Sequence, residues 1–140
     1  MLDNYRDLID ELLETPSELR RLVEARTEPP TAEAVQLLDE LRSRDQRILG
    51  QLQAMTRARE PYLRTPSDPA PAPVADVPAL LNEFDTARGE LVSLLMNLTL
   101  RDWERTAIHE TEGEVRLVEL VETHVDFDEG HVRKLRQGLA

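Results

Sequence analysis

The sequence predicts an all-α fold, a four-helix bundle around one core, and three observations carry the prediction. Leucine-rich stretches are mixed with glutamate and arginine, which are strong helix formers, and the chain has only five glycines. Apolar residues recur at three- and four-residue intervals in separate stretches. Hydrophobic residues make up 40% of 140 residues, enough for one core, so residues 1–140 are expected to be a single domain. Only 4% are aromatic, so that core must be built of Leu, Val, Ile and Ala.

The elements follow in order. A first helix is expected from about Asp3 to Glu14, with Tyr5, Leu8, Ile9, Leu12 and Leu13 at helical spacing. Thr15-Pro16-Ser17-Glu18 then reads as a capping box with proline at the first helical position. It predicts a short second segment carrying Leu19, Leu22 and Val23, ended by Pro29-Pro30. Thr31 caps a long helix reaching about Arg59, with a ladder of Ala34, Leu38, Leu41, Ile48, Leu52 and Met55 and a polar gap at Arg44 and Asp45. Pro61 closes it. Residues 65–78 carry Pro66, Pro69, Pro71 and Pro73 and predict an extended connection. Its length suggests a crossover joining two helical hairpins. Asp76 caps the next helix, with Pro78 in its first turn and Leu80, Leu81, Phe84, Leu91, Leu94, Leu95 and Leu98 as its stripe. Thr99 opens a short helix through Trp103, Gly113 breaks the chain, and a last helix covers about Glu114 to Gln137.

Composition narrows the function. The chain has no cysteine, which excludes disulfides and thiolate metal sites and suits a reducing compartment. No run of eighteen apolar residues predicts a membrane span. The acidic start, Met1 to Asp7, lacks the layout of a signal peptide, so a cytoplasmic protein is expected. Net charge is −11 with a pI near 4.7, a field that repels nucleic acid unless a basic patch intervenes. Arg42, Arg44 and Arg47 are interleaved with Glu40 and Asp45 and read as a solvated mixed-charge face. Neither nucleic acid nor membrane is an expected partner.

A helical wheel over the last helix brings polar residues inward. Leu117, Leu120, Val121, Val125, Val132 and Leu135 cluster on one half, and His124, Asp128 and His131 fall within it. Arg88 lies in the stripe of Phe84, Leu91 and Leu95, and Asp45 in that of Leu41, Ile48 and Leu52. One interior layer can therefore hold Asp45, Arg88, His124, Asp128 and His131. One reading is a self-satisfied network, in which Arg88 pairs with Asp45 or Asp128. The other is a metal site, since imidazole and carboxylate on facing helices suit zinc, nickel or iron. His109 reads as a loop or cap residue and Trp103 as an anchor of the short helix. Metalloprotease, P-loop, dinucleotide and Ser-His-Asp patterns are missing from the sequence.

Several short motifs resemble the DinB-like superfamily (DinB/YfiT-like putative metalloenzymes). They are Phe84-Asp85-Thr86-Ala87-Arg88 before a leucine-rich helix, Trp103-Glu104-Arg105, His109 to Gly113, Leu117 to Leu120, and Phe127-Asp128-Glu129-Gly130-His131-Val132. The resemblance covers the chain from about Thr31 onward. It implies an up-down-down-up bundle, frequent homodimers and a three-histidine metal site, with thiol transfer, hydrolysis or no known activity among members. His131 matches the last ligand and Asp128 the aspartate beside the first. Phe127 stands where another histidine is expected, and Glu40 stands in the second-helix motif. The resemblance thus points to a degenerate divalent-metal site of Glu40, Asp128 and His131, with His124 as a fourth candidate, or to no metal. Two functions compete: a non-catalytic bundle that binds a small molecule or forms a dimer, and a metal-dependent thiol transferase or hydrolase. Val118, Val125 and Val132 form a second apolar strip offered to a partner subunit.

Overall fold

A computed structural model describes residues 2–64 and 76–139. Four long helices, α1 (Leu2–Glu24), α2 (Ala32–Arg57), α3 (Val77–Met96) and α5 (Leu117–Leu139), form the bundle, with a short α4 (Leu100–Trp103). A small sheet of β1 (Tyr62–Leu63), β2 (Thr106–His109) and β3 (Gly113–Arg116) closes one end. The prolines Pro66, Pro69, Pro71 and Pro73 lie outside the described residues. Among those described, no helix is long and apolar enough to cross a membrane.

Side-chain contacts fix the helix directions. Arg42 reaches Glu83 and Asp45 reaches Arg88, so α2 and α3 run parallel. Thr15 meets Asp128 and Arg26 meets Gly138, so α1 and α5 are also parallel. The pairs α1 with α3 (Leu12 to Arg88, Arg20 to Asn82) and α2 with α5 (Glu40 to His131, Asp45 to His124) are antiparallel. This is the up-down-down-up order.

Local signals explain most boundaries. The Thr31 hydroxyl accepts from the Ala34 N–H and starts α2. Thr99 and Asp102 form a reciprocal capping box on α4. Asp76 stands at the N-cap of α3, but its side chain makes no capping bond, and the Pro78 ring in the first turn supplies the helical φ instead. Trp103 is an anchor as expected: it is buried and stacks on Tyr5 with ring centroids 4.5 Å apart.

Three expectations are corrected. Thr15-Pro16-Ser17-Glu18 does not start a new helix; α1 continues through Pro16 to Glu24. The Thr15 hydroxyl turns inward to Asp128, so the local capping pattern lost to a tertiary contact. Residues 114–116 belong to β3, not to the last helix, and Gly113, with φ +73°, turns a hairpin rather than only breaking the chain. Ala107 pairs opposite Val115 and both are buried, which gives these short strands their reason to form. Lastly, Val118, Val125 and Val132 are buried within the chain's own core and form no strip for a partner.

The apolar core is in two parts. One, around Leu12, Ile48, Leu91 and Val125, lies toward the sheet. The other gathers Leu19, Leu41, Phe84 and Leu135 at the far end. Between them lies the polar layer.

Candidate metal centre

Arg88 is the centre of that layer. It extends from α3 and is 1% exposed, while Asp45 on α2 and His124 on α5 are fully buried. Its Nε and Nη2 donate to the two oxygens of Asp45 at 2.8 and 2.7 Å. Nη1 and Nη2 donate to the two oxygens of Asp128 at 2.7 and 2.9 Å. One N–H remains, and it goes to the Leu12 carbonyl at 2.7 Å. The guanidinium therefore uses its whole donor fork. Phe84, one turn earlier on α3, lies under it with the ring centroid 4.7 Å from Cζ.

Pro16 explains the Leu12 contact. A proline has no N–H, so the carbonyl four residues earlier in a helix loses its partner. In α1 that carbonyl is Leu12, and Arg88 takes it. The proline that looks like a helix start in sequence instead creates a buried acceptor for a side chain from another helix.

The rest of the network follows from this cation. The Thr15 hydroxyl donates to Asp128 at 2.8 Å. His124 Nε2 lies 2.7 Å from Asp45, and the Arg44 Nε donates to His124 Nδ1 at 3.2 Å. Nδ1 accepts, so Nε2 carries the proton and donates to Asp45. The 3.4 Å approach of Arg88 Nη2 to that same nitrogen is then proximity between two donors, not a bond. Two carboxylates face Arg88, and Arg44 supplies the second positive charge. Burial alone would push the Asp45 carboxyl up, but bonds from His124 and Arg88 overcome it and hold it below its ordinary value. Burial would likewise lower Arg88, but its two aspartates hold it above the usual guanidinium range.

Because the Thr15 hydroxyl binds a buried charged oxygen, Thr15→Val is expected to lower stability by about 1.5 kcal/mol, read from the urea midpoint. An unchanged midpoint would mean that Arg88 alone satisfies Asp128.

Asp45, His124 and Asp128 place one ligand atom each within 4.8 Å of one another, so this buried group can reach one ion. Its chemistry argues against a resident metal while Arg88 is present. The guanidinium already binds both carboxylates, and the imidazole is bonded through both nitrogens. A dication there would stand against a buried cation.

The remaining candidates, Glu40 and His131, lie apart from this group. His131 Nε2 is 2.7 Å from Glu40, and its Nδ1 is 3.1 Å from the Phe127 carbonyl, one turn earlier. The Phe127 ring stacks on the imidazole with centroids 3.9 Å apart, and Arg44 packs against Phe127, its Cζ 4.5 Å from the ring centroid. Both imidazole nitrogens thus face acceptors, and the third position carries a ring that cannot coordinate. Two donors from α2 and α5 do not make a closed metal site.

The structure brings Asp45, Arg88, His124 and Asp128 together as the wheel predicts, and sets His131 with Glu40 at the edge. Thr15, Arg44 and the Leu12 carbonyl were not foreseen as members. Arg44 is half-buried and reaches inward, so it leaves the solvated face assigned to it. The available signal was its place in the polar gap of the α2 ladder, next to Asp45. His109 is a turn residue of the hairpin: its Nδ1 accepts from the N–H groups of Thr111 and Glu112 at 3.2 and 3.3 Å.

No family model and no curated protein matches the sequence. Among solved structures the chain is similar to YfiT from Bacillus subtilis, described as a probable metal-dependent hydrolase with an unusual four-helix bundle topology. The TM-score is 0.81 over 98% of this chain and 88% of that one, with 18% sequence identity. The chain shares the four-helix bundle fold of that structure.

Proposed function

We propose that this DinB-like bundle holds no catalytic metal and serves in the cytoplasm as a small-molecule-binding protein. The observation that carries the reading is the Arg88 guanidinium bound to both Asp45 and Asp128, a fixed internal cation between the two fully engaged acids that stand with His124 in the core. Phe127 in the expected ligand position points the same way.

Zinc or nickel added to the chelator-treated protein is expected to produce no saturable rise in thermal midpoint, and elemental analysis of untagged protein should find no stoichiometric metal. A specific site would raise the midpoint by mass action. A saturable rise that His131→Ala abolishes would overturn the proposal. It would support the second reading, a metal-dependent thiol transferase or hydrolase. That reading draws on the description of YfiT and on the three ligand atoms of Asp45, His124 and Asp128.

A further inference from the structure

A cavity of about 600 Å³ lies between α2, the β2–β3 hairpin and α5, beyond the residues considered as metal ligands. Ile48, Val115 and Leu120 give it an apolar floor. Its α2 wall carries Arg44 and Arg47, three residues apart and on one side of the helix. The hairpin wall carries Glu112 and Glu114, with His109 at the end of β2. A third acid, Glu119, is taken by Arg116 through its Nε and backbone N–H.

The two arginines are the informative feature. Arg44 commits Nε to His124 and its flat face to Phe127, and its two terminal nitrogens have no partner among the described residues. Arg47 has neither ion pair nor hydrogen bond among them. Elsewhere on α2, Arg42 is paired with both Asp39 and Glu83, so surface arginines of this helix do find acids when acids are in reach. The two guanidinium groups line the same cavity wall and, among the described residues, neither is paired with an acid, so their charges repel. A carboxylate would relieve that repulsion and take up the spare donors. Opposite them, Glu112 and Glu114 favour a positive group on the same molecule.

We propose that this cavity binds a small zwitterion, an amino-acid or short-peptide derivative, with its carboxylate on Arg44 and Arg47 and its ammonium toward Glu112 and Glu114. The proposal takes up the small-molecule part of the function proposed above and is independent of the statement about metal. Through Arg44 the bound carboxylate would touch the interior network at His124.

The test uses three probes on the full chain, followed by amide chemical shifts in heteronuclear NMR. Glycylglycine carries both charges, acetylglycine only the carboxylate, and glycinamide only the ammonium. Glycylglycine is expected to give saturable shifts centred on residues 44–51 and 109–115, with the single-charge probes at least about fivefold weaker. Arg47→Ala is half-exposed and outside the buried network, so its thermal midpoint should hold. Losing one charge-assisted bond should weaken glycylglycine about tenfold or more. Glu114→Gln should bring glycylglycine and acetylglycine close together. No saturable shift from any probe, or shifts that Arg47→Ala leaves unchanged, would overturn the site. Equal binding of acetylglycine and glycylglycine to the unmodified protein would overturn the zwitterion assignment. The metal titration reads the other part of the functional proposal separately, so failure of one does not imply failure of the other.

Discussion

Arg88→Met is expected to lower the free energy of unfolding by about 3–5 kcal/mol, the range for removing one partner from a buried ion pair. The substitution keeps most of the side-chain volume, so the loss comes from what it leaves behind. Asp45 and Asp128 would remain buried with only Thr15 and His124 to donate to them, and the Leu12 carbonyl would be orphaned under Pro16. Arg88→Lys should recover only part of the loss. An ammonium keeps the charge but cannot span two carboxylates and a carbonyl with a planar fork. Adding Asp45→Asn and Asp128→Asn to Arg88→Met should regain stability, because the uncompensated charges are removed. Urea unfolding of the four proteins at pH 7 checks the set. A loss under about 1 kcal/mol for Arg88→Met would show that water or a movement of α5 relieves the aspartates, contrary to the burial seen here.

Asp45→Ala should have an effect of similar size, about 3–5 kcal/mol, for the complementary reason. It removes the acceptor of two Arg88 donors and of the His124 Nε2–H, and leaves His124 and part of the guanidinium unpaired. It also carries a pH signature. The folded Asp45 carboxyl titrates below its ordinary value near 3.8. Its contribution is therefore complete above about pH 3.8 and is lost as the pH falls through the lower folded value. The stability gap between the unmodified protein and Asp45→Ala should be constant from pH 7 to about 5 and narrow below about 3.8. Thermal unfolding across pH 2.5–7 would measure it, and a gap independent of pH would show that Asp45 is not ionised in the fold.

Both predictions concern a network that a helical wheel partly reveals. Asp45, Arg88, His124 and Asp128 each sit on an apolar stripe, and a polar residue on such a stripe must meet another inside. Periodicity is a property of one helix, so it shows which way a side chain points but not what stands opposite. His131 points inward as well, yet its depth along α5 sets it against Glu40, a turn beyond the aspartates. The same limit hid Arg44, which stands in sequence among Arg42, Asp45 and Arg47 and in space against Phe127 and His124.

The sequence by itself determined the helices α2, α3 and α4 and most of α5, the amphipathic stripes, the caps at Thr31 and Thr99 and the inward set of titratable residues. These follow from short-range steric preference and from periodicity, which local residues encode. Tertiary structure alone decided the rest. Pro16 could begin a helix or interrupt one, and packing of α1 along α5 kept the helix whole, with Thr15 drawn to Asp128 and the freed Leu12 carbonyl to Arg88. Residues 106–116 carry weak strand signals, and pairing of Ala107 with Val115 over the end of the bundle made them a hairpin. The polar layer is a network around Arg88 because five donors from α3 meet acceptors on α1, α2 and α5 at once. Such a match depends on three helix–helix registers, and no stretch of the chain encodes it locally.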